Sequence, residues 1–159
     1  MFDPAPLRQA YRDLLTGAEE IADAPPAPLP PGEWTAEQVL AHVALVTSGT
    51  LAAVATVAAG APAGYDNRAA LDTWTIDRVI ARTGGGAALR ERVRAQGEAL
   101  CTLAAALDRA ELDTPVPALL LSGGRLMFEG QLPVGDLVGG LAAVELPAHT
   151  AQLLATAAR

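Results

Sequence analysis

The residues of this chain best suited to chemistry are its two histidines, His42 and His149, and one nearby glutamate. Glu145 precedes His149 by four residues, so an α-helix would place both side chains on one face, with Cβ atoms roughly 6 Å apart. Two imidazoles and one carboxylate are a ligand set for a divalent transition metal, and three protein ligands leave a position open for water or substrate. If His42 reaches this pair, the sequence predicts a reactive metal centre.

A structural interpretation of the same residues stands beside the metal site. A Glu/His pair at this spacing also occurs as a surface ion pair, and a lone histidine on an apolar face is more often hydrogen-bonded in the core. Pro147 lies between Glu145 and His149. A proline there either kinks the helix or makes it restart, and a restart would lose the shared face.

The elements that must position these residues are helices. Helical spacing of apolar residues predicts helices over residues 6–23, 35–59, 67–82 and 87–110, and from residue 134 or 136 to the C-terminus. Thr35 is a suitable N-cap for the second of these, with Gln38 as its capping-box partner. On that helix His42 shares a face with Val39 and Val46, which predicts a buried imidazole.

The connections between the helices have their own signals. Five prolines in residues 24–32 predict a stiff connector. Asp66 is the predicted cap of the third helix, and a triple glycine at 84–86 separates it from the fourth. Residues 115–129 predict a short β-hairpin or an irregular arm before the last helix, with Pro115 and Pro117 weakening its first strand.

Composition limits the class of protein. A chain of 159 residues is long enough for one domain with its own core, and we expect a single domain over residues 1–159. The formal net charge is −7 and lysine is absent, which argues against a nucleic-acid partner. The acidity is typical of a soluble protein.

The sequence also indicates the cellular compartment. Cys101 is the single cysteine, so an intrachain disulfide is excluded, and its apolar helical surroundings predict a buried small side chain. The N-terminus lacks the pattern of a signal peptide. Residues 39–63 are apolar but rich in Ala and Thr, and weak as a membrane span. We therefore expect a cytoplasmic protein without a membrane partner.

The start of the second helix carries a family resemblance. Trp34-Thr35 followed by Ala41-His42-Val43 resembles the DinB-like superfamily, in particular its mycothiol-dependent maleylpyruvate isomerase branch, whose members carry W-T-x-x-x-(V/L)-x-A-H-(L/V) at this place. DinB proteins usually carry H-x-x-x-H followed by x-x-Q near the end of the bundle. Here the run is Glu145-Leu-Pro-Ala-His149-Thr-Ala-Gln152. The glutamine matches, and Glu145 replaces the first histidine, as it does in the isomerase branch.

This resemblance covers nearly the whole chain and implies a fold and a site. The fold would be all-α, a DinB-like four-helix bundle with a short extra helix and a small arm before the last helix. The implied metal ligands are His42, Glu145 and His149, with Zn²⁺ as the first expectation and Ni²⁺, Fe²⁺ or Mn²⁺ as alternatives. Gln152 would support a ligand or a bound water. Gln96 either lines the same cavity or is a buried polar residue that fixes helix register.

The function implied is that of an enzyme. The resemblance favours a metal-dependent transferase or isomerase that uses a low-molecular-weight thiol, mycothiol or bacillithiol, to attack a small electrophilic substrate. The isomerases of the branch carry a further C-terminal domain, and this chain ends after the bundle, so we expect a reaction other than maleylpyruvate isomerisation. The alternative is a non-catalytic bundle with a relic metal site that binds a small molecule or forms a homodimer through Gly139 and Gly140.

Overall fold

Helices form most of the chain in the computed structural model, which describes residues 1–158. The helices are α1 (Ala5–Glu20), α2 (Ala36–Ala58), α3 (Arg68–Leu71), α4 (Thr73–Thr83), α5 (Gly86–Ala106), α6 (Arg109–Leu112), α7 (Val134–Gly140) and α8 (Leu146–Leu154), and a π-helical segment (Leu141–Glu145) joins the last two. The strands are β1 (Tyr65–Asp66), β2 (Pro115–Ser122) and β3 (Arg125–Pro133). The predicted bundle is confirmed: α1, α2, α5 and the continuous α7–α8 helix pack around a shared apolar core.

The central helix of the bundle is α2, and its start follows the prediction. The Thr35 side chain accepts the N–H of Gln38, and the Gln38 side chain accepts the N–H of Thr35. By length and composition alone, α2 is apolar enough to span a membrane. Most of its apolar stretch is buried against the other helices, so its role as a core helix accounts for that composition. His42 is 3% exposed on this helix.

The last helix remains continuous through Pro147 because one of its turns is π-helical. In a regular α-helix, a proline lacks the N–H donor and its ring clashes with the carbonyl four residues earlier. Here the N–H of Leu146 donates to the carbonyl of Leu141, five residues earlier, and Pro147 falls in the first turn of α8. The wider turn accommodates the proline. Glu145 and His149 therefore keep the shared face that a restarted helix would have lost.

The predicted third helix, residues 67–82, is two helices. The chain turns at Asp72, whose backbone is extended and whose side chain accepts the N–H of Thr75 to cap α4. Asp66, predicted to cap this helix, lies in β1 and accepts the N–H of Arg68 instead. The prediction of one helix capped by Asp66 was wrong because the capping aspartate lies six residues later.

The predicted fourth helix, residues 87–110, is also divided. α5 ends at Ala106, and Leu107 is extended. The Asp108 side chain then accepts the N–H of Glu111, and the Glu111 side chain accepts the N–H of Asp108. This capping box begins α6 and ends the helix earlier than the apolar spacing predicts.

The fold is mostly helical rather than all-α as predicted, because the chain also forms a small three-stranded sheet. β2 and β3 form the predicted hairpin, turning at Gly123 and Gly124, which both have positive φ. β1 adds a third strand, parallel to β2, on the side opposite β3. The two-residue β1 pairs with residues more than 50 positions later, so no local periodicity indicates it.

The two prolines of β2 are tolerated because of where β1 begins. The N and O atoms of one strand residue point to the same side, so Pro115 and Pro117 face the side on which the Leu119 carbonyl accepts the N–H of Asn67. β1 pairs only with Ala118 and Leu119. The donors that the prolines lack therefore fall where β2 has no neighbouring strand.

Gly97 on α5 marks a close contact with α1. A Cβ atom at this position would lie 2.9 Å from the Tyr11 ring, which is held in place by a 2.7 Å hydrogen bond between its hydroxyl and that of Thr47. We expect Gly97→Ala to lower the free energy of unfolding by about 1–3 kcal/mol, measured by urea denaturation. Gly139→Ala is the control: nothing lies within 4 Å of its Cβ position, and alanine there raises stability by up to about 1 kcal/mol. Equal stabilities for the two variants would contradict the prediction.

Candidate metal centre

His42, Glu145 and His149 lie together in one cavity. One ligand atom from each residue lies within 4.8 Å of the other two. His149 Nε2 is 3.4 Å from Glu145 Oε2, and the centroids of the two imidazole rings are 4.4 Å apart. The three side chains predicted as ligands therefore form one cluster that could hold a metal ion.

The orientation of His42 is set by a backbone carbonyl. Its Nδ1 lies 2.7 Å from the carbonyl oxygen of Ala70 in α3, so Nδ1 carries the proton and donates it. Its Nε2 is buried and has no hydrogen-bond partner. A buried nitrogen without a partner costs free energy, and here its lone pair is presented to the cluster.

His149 is held in the same tautomer by Gln152. Its Nδ1 lies 2.9 Å from Gln152 Oε1, one turn later on α8, which leaves the Nε2 lone pair facing the Glu145 carboxylate. Two acceptor atoms at this distance repel unless a proton or a metal ion lies between them. A histidine whose distal nitrogen is fixed by a side-chain acceptor is the usual arrangement of an imidazole that binds a metal.

The charges of the cluster suit a cation. Burial, together with the neighbouring His149, lowers the pKa of His42 to about 4, so its imidazole is neutral near pH 7. A proton on His149 Nε2 hydrogen-bonds to Glu145 and lowers the pKa of that carboxyl group, and a metal ion in place of this proton would stabilise the carboxylate in the same way. A neutral imidazole and an anionic carboxylate are the protonation states that metal ligands require.

Trp34 packs beside both imidazoles. Its ring centroid is 4.8 Å from that of His42 and 6.5 Å from that of His149, nearly parallel to the latter. The indole restricts the rotation of both rings and excludes water on that side. The Trp-Thr pair that begins α2 thus supplies both a helix cap, Thr35, and part of the wall of the site.

The cavity around the cluster is about 500 Å³ and has a hydrophilic wall. Asn67, Arg68 and Asp72 line it from the β1–α4 segment, and Glu33 lines it beside Trp34. Sequence reasoning did not assign these residues, or the Ala70 carbonyl, to the site. A backbone acceptor has no side-chain pattern, and the polar run at residues 66–68 was interpreted only as a helix start.

Gln96 lies elsewhere. Its Nε2 donates to Ser48 Oγ at 2.8 Å, linking α5 to α2, and it is not among the residues that line the cavity around the cluster. This position corresponds to the second interpretation of Gln96, a polar contact between packed helices. Cys101 is buried in the core, and burial raises its thiol pKa, so it is not poised as a nucleophile.

The distance between Glu145 and His149 fits a tetrahedral metal ion with one open position, and His42 would have to move closer to complete the site. Zinc bonds of about 2.0–2.2 Å place neighbouring ligand atoms roughly 3.3–3.6 Å apart. The 3.4 Å between His149 Nε2 and Glu145 Oε2 matches this spacing, whereas the cluster as a whole, within 4.8 Å, is slightly wider. The partnerless Nε2 of His42 is the atom that such an ion would satisfy.

Gln152 offers a direct test of this arrangement. We expect Gln152→Leu to weaken Zn²⁺ binding by roughly 10–100-fold, because the variant loses the acceptor that fixes His149. Gln152→Glu keeps an acceptor at the same position and should retain the affinity. Competition with a chromogenic chelator measures both, and unchanged affinity in Gln152→Leu would show that Gln152 does not orient the ligand.

None of the curated proteins matches the sequence of this chain. The crystal structure of the mycothiol-dependent maleylpyruvate isomerase is similar to it in fold, with a TM-score of 0.70 and 16% sequence identity. That match covers 97% of this chain and 60% of the other. The DinB superfamily matches residues 6–153, nearly the whole sequence, and the chain belongs to that superfamily.

Proposed function

We propose that the protein is a metal-dependent enzyme, a transferase or isomerase that uses a low-molecular-weight thiol to attack a small electrophile. The observation that carries this proposal is the partnerless, buried Nε2 of His42, on a residue that offers a ligand atom within 4.8 Å of those of Glu145 and His149. Both histidines are held with Nδ1 as the donor. Three prepared ligands beside an open cavity are typical of a catalytic metal site rather than a structural one.

Different residues of the chain would have different roles in such a site. His42, Glu145 and His149 would hold the ion, with Zn²⁺ favoured and Ni²⁺, Fe²⁺ or Mn²⁺ as alternatives. When bound, the ion would lower the pKa of a water or thiol and so supply a nucleophile near neutral pH. Ala70 and Gln152 keep the imidazoles in the binding tautomer. The polar wall of the cavity, with Asn67 and Arg68, would bind a hydrophilic co-substrate.

A thiol co-substrate is proposed because the protein of similar fold is mycothiol-dependent and because the single cysteine of this chain is buried. The solved structure of similar fold is a mycothiol-dependent enzyme by its description, and mycothiol or bacillithiol is the class of co-substrate we infer. This chain spans 60% of the length of that structure, so we do not extend its specific reaction to this protein. Cys101 is buried and is not the nucleophile. We place the protein in the cytoplasm, with small molecules as its partners.

The test combines metal content with thiol consumption. Protein purified without chelators and supplied with Zn²⁺ should hold about one ion per chain. It should also accelerate the conjugation of mycothiol or bacillithiol to an aromatic electrophile such as chlorodinitrobenzene. Dialysis against a chelator should abolish the acceleration, and Zn²⁺ should restore it. Metal content well below one per chain after this treatment would overturn the proposal.

A non-catalytic function is the second candidate. Gly139 and Gly140 have open space around their Cβ positions, and Val144, one turn later, is 63% exposed. A small molecule or a second copy of the chain could occupy this surface while the metal site is a relic. Light scattering and ligand binding measured after removal of the metal distinguish this candidate, because it predicts that neither depends on the ion.

A further inference from the structure

A second cavity adjoins the metal centre. It measures about 350 Å³, and four residues line both it and the metal-site cavity: Asn67, Leu121, Ser122 and Glu145. We call it the apolar groove. Because Glu145 borders both spaces, a molecule bound in the groove would have one end beside the metal ligands.

The groove is built from apolar side chains of α2, the hairpin, α7 and the π-helical segment. The π-helical segment supplies Leu141 and Val144, α2 supplies Val46, and the hairpin supplies Leu120 and Met127. Met127 and Val144 are 67% and 63% exposed, although both are apolar. Two exposed apolar side chains at the same groove indicate a surface that is covered when a ligand binds.

The charged side chains that line the groove are both acidic. The Tyr65 ring lines it, and burial raises the pKa of Tyr65 to about 12, so the phenol is neutral near pH 7. Its two carboxylates are Asp136 and Glu145, and no arginine or histidine is found among its lining residues in the described part of the chain. This lining disfavours an anion and favours a hydrocarbon.

The boundary between the groove and the metal-site cavity is rigid. The Asn67 side chain donates to the carbonyl of Leu121 and accepts the N–H of the same residue, both at 2.9 Å. This paired hydrogen bond fixes the hairpin to the residue that follows β1. These hydrogen bonds hold this edge of the groove in place without a ligand, which lowers the entropic cost of binding.

We propose that the apolar groove binds the hydrocarbon part of the substrate, so that the substrate is an electrophile with an aliphatic or aryl group of up to roughly ten non-hydrogen atoms. The size follows from the groove's volume of about 350 Å³, since a water-sized group occupies about 30 Å³. The reactive polar end of the substrate lies beside Glu145. This inference rests on the proposed function, because it assigns the substrate class of the same site.

Straight-chain alkyl hydroxamic acids of two to ten carbons are suitable probes, because the hydroxamate binds metal ions and the chain samples the groove. In the Zn²⁺-loaded protein we expect the affinity to rise by up to about fourfold for each added methylene until the groove is full. Calorimetry measures the affinity. Methyl NMR of Leu141 and Val144 reports occupancy of the groove directly, with or without metal.

Two neighbouring glycines provide the variant and its control. Gly140 lines the groove, is helical, and has nothing within 4 Å of its Cβ position, so Gly140→Leu adds a side chain that fills the space without backbone strain. We expect this variant to lose the dependence of affinity on chain length. Gly139 has equal free space but does not line the groove, so Gly139→Leu should behave as the wild type.

The results of these binding and NMR experiments distinguish failure of the groove assignment from failure of the proposed metal-dependent function. Flat affinities and unmoved Leu141 and Val144 resonances in the wild type would overturn the groove assignment, whatever the metal content. Equal behaviour of Gly140→Leu and Gly139→Leu would also overturn it. Chain-length dependence with shifted resonances in a protein that fails to load metal would support the groove and refute the metal-dependent mechanism.

Discussion

His42→Ala is expected to reduce the affinity for Zn²⁺ by well over the roughly 100-fold that loss of a supporting hydrogen bond can cost. The variant removes one of the three proposed ligands, and it is the one whose Nε2 lacks any other partner. Competition with a chromogenic chelator gives the affinity, and elemental analysis gives the metal content. Thiol conjugation should fall with the metal.

Thermal unfolding separates loss of the ligand from loss of the fold. An ion present at about 100 times its Kd stabilises the native state by about 2.7 kcal/mol, so Zn²⁺ should raise the Tm of the wild type and not that of His42→Ala. Both should melt cooperatively in a chelator. A Zn²⁺-dependent rise in Tm for the variant, equal to that of the wild type, would show that His42 is not a ligand.

Two carboxylates of the same cavity provide a matched pair for this experiment. Glu145→Gln replaces the carboxylate 3.4 Å from His149 Nε2 by a neutral amide of the same shape and should weaken metal binding. Glu33 lines the same cavity but does not belong to the cluster of ligand atoms. Glu33→Gln should therefore retain the metal, and equal losses in both variants would indicate a general effect of cavity charge.

Alkaline pH is expected to destabilise the protein progressively from about pH 10 upward, because the unfolded chain's tyrosines ionise there. The chain has two tyrosines, Tyr11 and Tyr65, and no lysine. Burial raises the pKa of Tyr65 to about 12 and that of Tyr11 well above its usual range. Burial also raises the pKa of the Cys101 thiol, which acts in the same direction.

The direction of the change in the free energy of unfolding follows from proton binding. Between pH 10 and 12 the folded chain holds more protons than the unfolded chain, so the free energy of unfolding falls as pH rises. Tyr65 alone accounts for a loss of about 2–3 kcal/mol by pH 12, and Tyr11 for at least as much. Together these losses are a large part of the roughly 5–15 kcal/mol that stabilises a domain of ordinary stability.

Ultraviolet absorbance at the tyrosinate band, recorded with circular dichroism, checks this expectation. Tyrosinate should form together with the loss of helical signal rather than before it. Tyr65→Phe keeps the ring and removes the ionisable group, so it should move the alkaline midpoint upward. Complete tyrosinate formation near pH 10 in a fully helical protein would contradict the assignment of both tyrosines to the interior.

Local sequence signals predicted the part of the site carried by α2. The Thr35 and Gln38 side chains define the start of the helix through contacts within one turn, and apolar neighbours place His42 on the buried face. Contacts of this kind are local, so the residues nearby in sequence determine them. Residue types and helical spacing therefore indicated the candidate ligands, and the DinB resemblance implied that they share one site.

Long-range contacts account for what the sequence did not predict. The Ala70 carbonyl that orients His42 depends on α3, which follows a two-residue strand paired with Ala118 and Leu119. Residues so distant along the chain give no periodic signal. The spacing of Gln96 places it on the face of its helix that packs against other helices. Whether its side chain points to Ser48 or to the cavity depends on how α5 packs on α2.

The effect of Pro147 on the last helix could not be predicted, because the sequence does not reveal the π-helical turn. A proline signals that a regular helix is disturbed, but the sequence does not tell whether the chain bends, stops or widens by one residue. Here the helix widens, and the hydrogen bond from Leu146 to Leu141 replaces the regular one. The distance between Glu145 and His149 then follows from α-helical geometry.

The π-helical turn also sets the direction, around the helix axis, in which Glu145 and His149 point. Each residue of an α-helix turns the following chain by about 100°, and a π turn takes up one additional residue. Glu145 and His149 therefore face a different direction from the one that a straight continuation of α7 would give them. Loss of one residue among Leu141–Val144 would leave the spacing between Glu145 and His149 intact. It would turn the pair away from His42, so the angular alignment of the site depends on one turn of the helix.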